Sequence, residues 1–318
     1  IGGHVMSSAL TLVQALDEAT QDLGRAGIGE ARREARLLVA HVLEVTPEAV
    51  FREPGIRLRK EQAVSFRACV VERAARRPMA QILGRREFRS LSFRVTGETL
   101  DPRPDSETLI EAVLNTVPDR AAPLRILDLG TGTGCLLLAL LHEFPDARGV
   151  GVDVSVDTLE VARDNAKALG LAGRSDFCAG DWGNGLGETF HVIISNPPYI
   201  PSAGIAALEP EVTRYEPRLA LDGGQDGLAC YRALLADIPR LLEPSGGLFV
   251  EVGIDQAESV GWLCVSHGLT VTGTARDLAG ITRCVMARRR NGSKGTDRKQ
   301  LLHRKKTWNA PPARLVCC

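Results

Sequence analysis

From Leu124 onward the chain alternates short apolar runs with stretches of helical periodicity, and this alternation narrows the possible folds most. Leu124–Leu129, Ala147–Val154, Asp176–Ala179, Phe190–Ser195 and Leu248–Val252 read as strands. Cys135–Phe144, Val156–Leu169, Gly227–Leu242 and Gln256–His267 read as helices. Such alternation favours a mostly parallel sheet with helices on both faces, the doubly wound α/β class. Thr270–Ala275 and Thr282–Ala287 close the series as a hairpin, expected to place an antiparallel strand at the sheet edge.

The first part of the chain differs. Residues 7–77 read as a small all-helical domain. Leu12, Val13, Leu16, Ala19 and Leu23 share one helical face, with Ser7 or Ser8 as cap and Gly24 and Gly27 at the end. Ala31, Ala35, Leu38 and Val42 repeat the pattern, as do Ala63, Phe66, Val70 and Ala74. Residues 78–100 read as a β-hairpin linker, from the spacing of Phe88, Leu91, Phe93 and Val95. The prolines of Asp101-Pro102-Arg103-Pro104-Asp105-Ser106-Glu107 argue against helix there, and Asp105 or Ser106 is placed to cap the next helix. Residues 101–290 form the α/β domain, and the polar, basic stretch 291–318 reads as a disordered tail.

Net charge is zero but unevenly distributed. Residues 52–94 hold twelve Lys/Arg against four Glu, and residues 288–318 ten against one Asp. Solvated helix faces explain such runs, and a basic docking surface is the sharper alternative. The eight cysteines are scattered without a Cys-x-x-Cys pair, and the six histidines are isolated, so no metal site is expected. No apolar run reaches the roughly eighteen residues of a membrane span. The opening Ile1-Gly2-Gly3-His4-Val5-Met6 lacks the regions of a signal peptide, so the expected location is cytoplasmic.

Two stretches carry chemistry. Val192-Ile193-Ile194-Ser195 runs straight into Asn196-Pro197-Pro198-Tyr199. Prolines cannot donate to a ladder, so the strand stops there, where ligands of open α/β sheets bind. A planar nitrogen with two N–H donors fits this tetrad: the Asn196 side-chain oxygen accepts one hydrogen, the Pro197 carbonyl the other, and Tyr199 stacks on the flat group. The second stretch, Asp128-Leu129-Gly130-Thr131-Gly132-Thr133-Gly134, joins strand to helix. Asp153 ends the following strand, where a carboxylate accepts from ribose hydroxyls. A dinucleotide Gly-x-Gly-x-x-Gly fingerprint fails in both registers, because Cys135 and Leu137 stand where the third glycine belongs. A P-loop fails for want of Gly-Lys-Ser/Thr. The surviving loop looks like a site for S-adenosylmethionine.

Together these motifs resemble the release-factor glutamine methyltransferase (PrmC/HemK) family over roughly residues 9–290. The match includes Gln81-Ile82-Leu83-Gly84, Pro102 to Glu107, Gly151-Val152-Asp153 and Gly180-Asp181-Trp182. It continues through Ser195 to Tyr199, Glu216-Pro217 and Leu221 to Gly227. The resemblance implies a seven-stranded, Rossmann-like S-adenosylmethionine-dependent methyltransferase domain behind a helical substrate-binding domain. It implies methylation of the glutamine amide nitrogen (N5) in the Gly-Gly-Gln loop of peptide chain release factors. Gly130 to Gly134, with Asp128, would hold S-adenosylmethionine, Asp153 its ribose, and Asp181 and Trp182 its adenine. Asn196, Pro197, Pro198 and Tyr199 would hold the glutamine, with Asn196 also beside the methyl donor. Within the first of these stretches Gln81, and before it Arg77, depart from the aromatic and acidic residues usual at their places. Two other readings are an adenine-N6 methyltransferase of DNA or RNA, which shares the tetrad, and a non-catalytic ribosome-docking protein. The region before the sheet shows no nucleic-acid motif, so no stable nucleic-acid partner is expected.

Overall fold

The computed structural model describes residues 11–52 and 57–290. The expected Ser7 or Ser8 cap and the stretch 291–318 lie outside them. In chain order the first helices are α1 (Leu12–Arg25), α2 (Ala31–Leu43), α3 (Ala49–Arg52), α4 (Lys60–Ala74) and α5 (Met79–Leu83). A hairpin β1 (Arg85–Phe88) and β2 (Leu91–Arg94) follows, then α6 (Glu107–Thr116), β3 (Arg125–Leu129), α7 (Cys135–Glu143), β4 (Arg148–Asp153) and α8 (Val156–Ala168). The remainder is β5 (Ser175–Ala179), β6 (Phe190–Ser195), α9 (Pro210–Tyr215), α10 (Ala229–Leu241), β7 (Leu242–Glu251), α11 (Ala257–Ser266), β8 (Leu269–Arg276) and β9 (Thr282–Arg289). None of the described helices is long and apolar enough to cross a membrane.

The described residues form two compact units: those up to Arg86 with Leu208–Glu216, and Glu87–Ala207 with those from Pro217 onward. In the helical unit, Leu12, Ala15, Ala19 and Leu23 of α1 pack with Ala35, Leu38 and Val39 of α2 and Phe66 and Val70 of α4. Val13, expected on that face, is 44% exposed; Ala15 occupies the core position. The first helix is capped by Thr11, whose side chain accepts from the Gln14 N–H while Gln14 reaches back to the Thr11 N–H.

Leu208–Glu216, expected within the α/β domain, packs with these helices instead. Glu211 Oε1 accepts from Arg73 Nη1 at 2.8 Å and Oε2 from Arg76 Nη2 at 2.8 Å. Arg73 also donates to Glu34 at 2.5 Å. Gln81, at one of the places departing from the family pattern, donates to the Tyr215 carbonyl at 2.9 Å. Arg77, at the other, pairs with Glu72 at 2.8 Å. Several basic residues of 52–94 are thus matched inside their own unit.

In the second unit seven strands lie in the order β5-β4-β3-β6-β7-β9-β8. β3 to β7 are mutually parallel, and β9 runs antiparallel to both its neighbours. The antiparallel strand is therefore not at the edge: α11 carries the chain past the open slot to β8, and the hairpin returns β9 into it. Residues alternate between faces along each strand. Ile126, Val192, Ile194 and Phe249 join the core with α6, α7 and α8. Leu127, Leu129, Ile193, Leu248 and Val250 join the core with α10 and α11. Phe88 and Phe93 of the β1–β2 hairpin pack into the first core, edge to face at 6.2 Å. Pro104–Ser106 forms a single 3-10 turn leading into α6, against the expectation that the prolines exclude helix. Proline is compatible with a first helical turn, whose N–H groups have no partner within the helix.

Candidate active site

Strand register builds the site. Leu129 pairs with Val152 on one side and Ser195 on the other, and Ser195 pairs with Val250. The next residue on each strand stands one step further along, so Asp153, Gly130, Asn196 and Glu251 form a row across four adjacent strand ends. The paired residues just before them lie on strands about 4.8 Å apart. Strand order reverses at β3, making the β3–β6 boundary the topological switch point where open α/β sheets bind ligands.

A cavity of about 420 Å³ opens there. Gly130, Gly132, Asp153, Asp181, Trp182, Asn196 and Pro198 line it, all expected at the site. Gly132 has φ +55°, and a Cβ there would meet no protein atom within 4 Å, so backbone rather than side chain faces the open space. Asp153 braces this turn: Oδ2 accepts from the Gly132 N–H and Oδ1 from the Ser155 N–H, both at 3.0 Å. Each oxygen retains a second lone pair for a diol. The cradle thus fits an adenosyl group with a ribose at Asp153.

Other expected residues stand behind the cavity. Asp128, Thr131 and Thr133 are buried, and the Thr131 hydroxyl donates to Asp128 Oδ2 at 2.7 Å. Burial pushes the Asp128 carboxyl up to about 7, against the Thr131 hydrogen bond, and the Asp153 charge adds to the rise. Gly134 caps α7 in the left-handed conformation, with Leu138, Ala162 and Phe177 close around it. These residues shape the loop and its helix without lining the cavity.

The tetrad is held from several sides. Ser195 Oγ donates to the Leu129 carbonyl at 2.7 Å, tying β6 to β3 just before the turn. Ile200 pairs with the block after Pro217: its N–H donates to the Leu221 carbonyl at 3.0 Å and its carbonyl accepts from Gly223 at 2.9 Å. A Cβ on Gly227 would lie 2.4 Å from the Tyr199 carbonyl, so only glycine permits this approach. Gln256 Nε2 donates to the same carbonyl at 2.9 Å. Tyr199 does not line the cavity. Its hydroxyl donates to Glu251 Oε1 at 3.4 Å, and burial raises its phenol well above the ordinary range. Pro197 is buried beside Asn196.

Asn196 Nδ2 donates to Ser106 Oγ at 3.1 Å. Among the described residues no donor reaches Asn196 Oδ1 or the Pro197 carbonyl. The result is a fixed amide whose oxygen is left for a ligand. Two residues here were not anticipated in these roles. Ser106 precedes α6 but makes no side-chain cap, because its hydroxyl serves Asn196. Glu251 is 1% exposed, and burial pushes it up to about 7 against Ser106, Arg283 and Tyr199. Leu100, Pro217, Leu219 and Asp222 also line the cavity; Pro217 and Asp222 fall within the sequence block already singled out.

Comparison with known proteins identifies the two regions of the chain. The PrmC N-terminal domain family matches residues 14–84, and a methyltransferase domain family matches residues 121–262. A release factor glutamine methyltransferase of Rhodospirillum rubrum is 48% identical over 89% of this chain and 86% of its own length. That of Caulobacter vibrioides is 42% identical over 87% and 96%, and that of Cereibacter sphaeroides 45% over 86% and 97%. With a helical unit, a methyltransferase sheet and near full-length likeness to these enzymes, the chain belongs to the release factor glutamine methyltransferase family.

Proposed function

We propose that this chain methylates the side-chain amide nitrogen (N5) of the glutamine in the Gly-Gly-Gln loop of peptide chain release factors. The observation that carries this reading is the Asn196 amide. Its nitrogen is committed to Ser106, its oxygen meets no donor among the described residues, and Asn196 lines the cavity together with Asp153 and Gly132. An acceptor there suits a group with N–H donors.

S-adenosylmethionine supplies an electrophilic methyl group when bound. Gly130, Gly132 and Asp153 bind its adenosyl part, with Asp181 and Trp182 at the adenine; Asp128, Thr131, Thr133 and Gly134 support the loop. Asn196 Oδ1 and the Pro197 carbonyl each accept one amide hydrogen, and Pro198 and Tyr199 hold the turn. The two acceptors orient the nitrogen lone pair for in-line attack. Charge disperses as the bond forms, so positioning and preset acceptors supply most of the acceleration. Transfer would break the sulfur–methyl bond as the nitrogen–methyl bond forms, leaving S-adenosylhomocysteine, and the nitrogen would lose its extra proton to water. The helical unit contributes contacts to the release factor, and the reaction belongs to the cytoplasm, where release factors act.

Peptide mass mapping of a release factor after incubation with labelled S-adenosylmethionine should place one methyl on the Gly-Gly-Gln glutamine. A Gly-Gly-Glu variant should remain unmodified, since it lacks the amide. Asn196→Ala should reduce turnover on the order of a hundredfold. Label on adenine in DNA or RNA, with release factor untouched, would replace this reading by the nucleic-acid one.

A further inference from the structure

We infer that Ser106 and Glu251 form a positioning relay that sets which way the Asn196 amide faces, and so makes the site an acceptor of N–H groups. This rests on the amide-methylating function proposed above. Asparagine is symmetric in shape but not in chemistry: one end donates and the other accepts. Something must hold Asn196 with its oxygen toward the cavity.

Ser106 is 3% exposed and accepts from Asn196 Nδ2 at 3.1 Å, so its own hydroxyl proton needs another acceptor. The Glu251 carboxyl lies beside it and is influenced by that hydroxyl. Its Oε2 is buried and has no hydrogen-bond partner among the described residues, leaving it free to accept a hydrogen bond from Ser106, while Oε1 accepts from Tyr199. An ionised carboxylate only accepts. It therefore draws the Ser106 proton, leaving Oγ to accept from Asn196 Nδ2. Asn196 Oδ1 is then turned to the cavity. A protonated Glu251 could donate to Ser106 instead, and the serine hydroxyl could then donate to Asn196, favouring the flipped amide. Turnover should thus require Glu251 as the carboxylate.

Glu251 is faced by Asp105 and Ser106 before α6, Tyr199 after β6, Arg283 and Cys284 on β9, Tyr231 on α10 and Cys135 on α7. Arg283 is held at 2.7 Å from Asp105 and 3.0 Å from Asp277, so its charge is shared. Burial dominates and brings the Glu251 titration to about 7.

Ser106→Ala should lower kcat about tenfold, the scale of one lost hydrogen bond. KM for release factor and affinity for S-adenosylhomocysteine should hold, and Ser106→Thr should restore kcat. In the wild type, kcat at saturating cofactor should rise through about pH 7 and lose that rise in Glu251→Gln. A second readout does not depend on turnover. The Asn196 side-chain amide signals, assigned by their loss in Asn196→Ala, should shift through about pH 7 and stay flat in Glu251→Gln and Ser106→Ala. Should Glu251→Gln fail to fold, Ser106→Ala and the wild-type titration decide. Wild-type kcat in Ser106→Ala, or a flat Asn196 titration in the wild type, would overturn the relay. Failure to methylate release factor with the titration intact would instead overturn the parent reading alone.

Discussion

Replacing Glu211 by alanine should destabilise the helical unit by roughly 2–3 kcal/mol. The figure comes from the two arginines it serves. The Arg73 side chain is 8% exposed and that of Glu211 is 18% exposed, so this pair lies largely out of water. Removing one partner of a buried pair typically costs about 3–5 kcal/mol, because the other charge is left uncompensated. Here the loss is partial. Arg73 keeps Glu34, and Arg76 keeps Glu209 and the Gly27 carbonyl, which moves the expectation just below that range. Burial pushes Glu211 up, but the bonds from Arg73 and Arg76 outweigh it and hold its carboxyl low. Its contribution is therefore present above the ordinary carboxylate range and lost as pH falls through its lowered folded-state value. Urea unfolding of the wild type, Glu211→Ala, Arg73→Met and the double variant measures both the loss and the coupling. A loss under about 0.5 kcal/mol, or full additivity, would refute the argument. The same pairing predicts that a chain beginning at Leu100, which lacks Arg73, Arg76 and Gln81, becomes sensitive to protease within 208–216. Equal resistance in both chains would count against it.

Gly132→Val should abolish S-adenosylhomocysteine binding in a calorimetric titration, because its side chain enters the cavity and because a β-branched residue at φ +55° strains the turn that approaches the ligand, while the sheet is retained; wild-type affinity would remove the cofactor site from this loop. For Asp128 the neutral form is favoured in the fold, so stability should fall as pH rises from its ordinary 3.8 through about 7. The full span is at most about 4 kcal/mol, at about 1.4 kcal/mol per tenfold change in proton affinity. Asp128→Asn should flatten part of the Tm decline between about pH 4 and 7; an unchanged slope would show that burial of Asp128 is not its source.

Much of the fold could be read locally. Strand and helix are marked by the spacing of apolar residues, and β6 runs from Phe190 to Ser195 as expected because the prolines after Asn196 end it. Gly132 and Asp153 were legible for the same reason: a loop between strand and helix, and a carboxylate at the next strand end, are local patterns with one usual use. The pieces that depend on register were not. Glu251 looked like one more residue near a strand end until the β6–β7 pairing set it beside Asn196 in the row. Ser106 looked like a helix cap, because a sequence shows a hydroxyl's position but not which of two competing partners it meets. Leu208–Glu216 offered no local sign that Glu211 would pair with Arg73, 138 residues away, and β9's place between β7 and β8 depended on which slot a hairpin could fill. Periodicity, proline and glycine act within a few residues, so the sequence by itself determined the elements and the ends where ligands bind. Charge pairing and hydrogen-bond direction act through space, so only the tertiary structure decided which buried groups meet there.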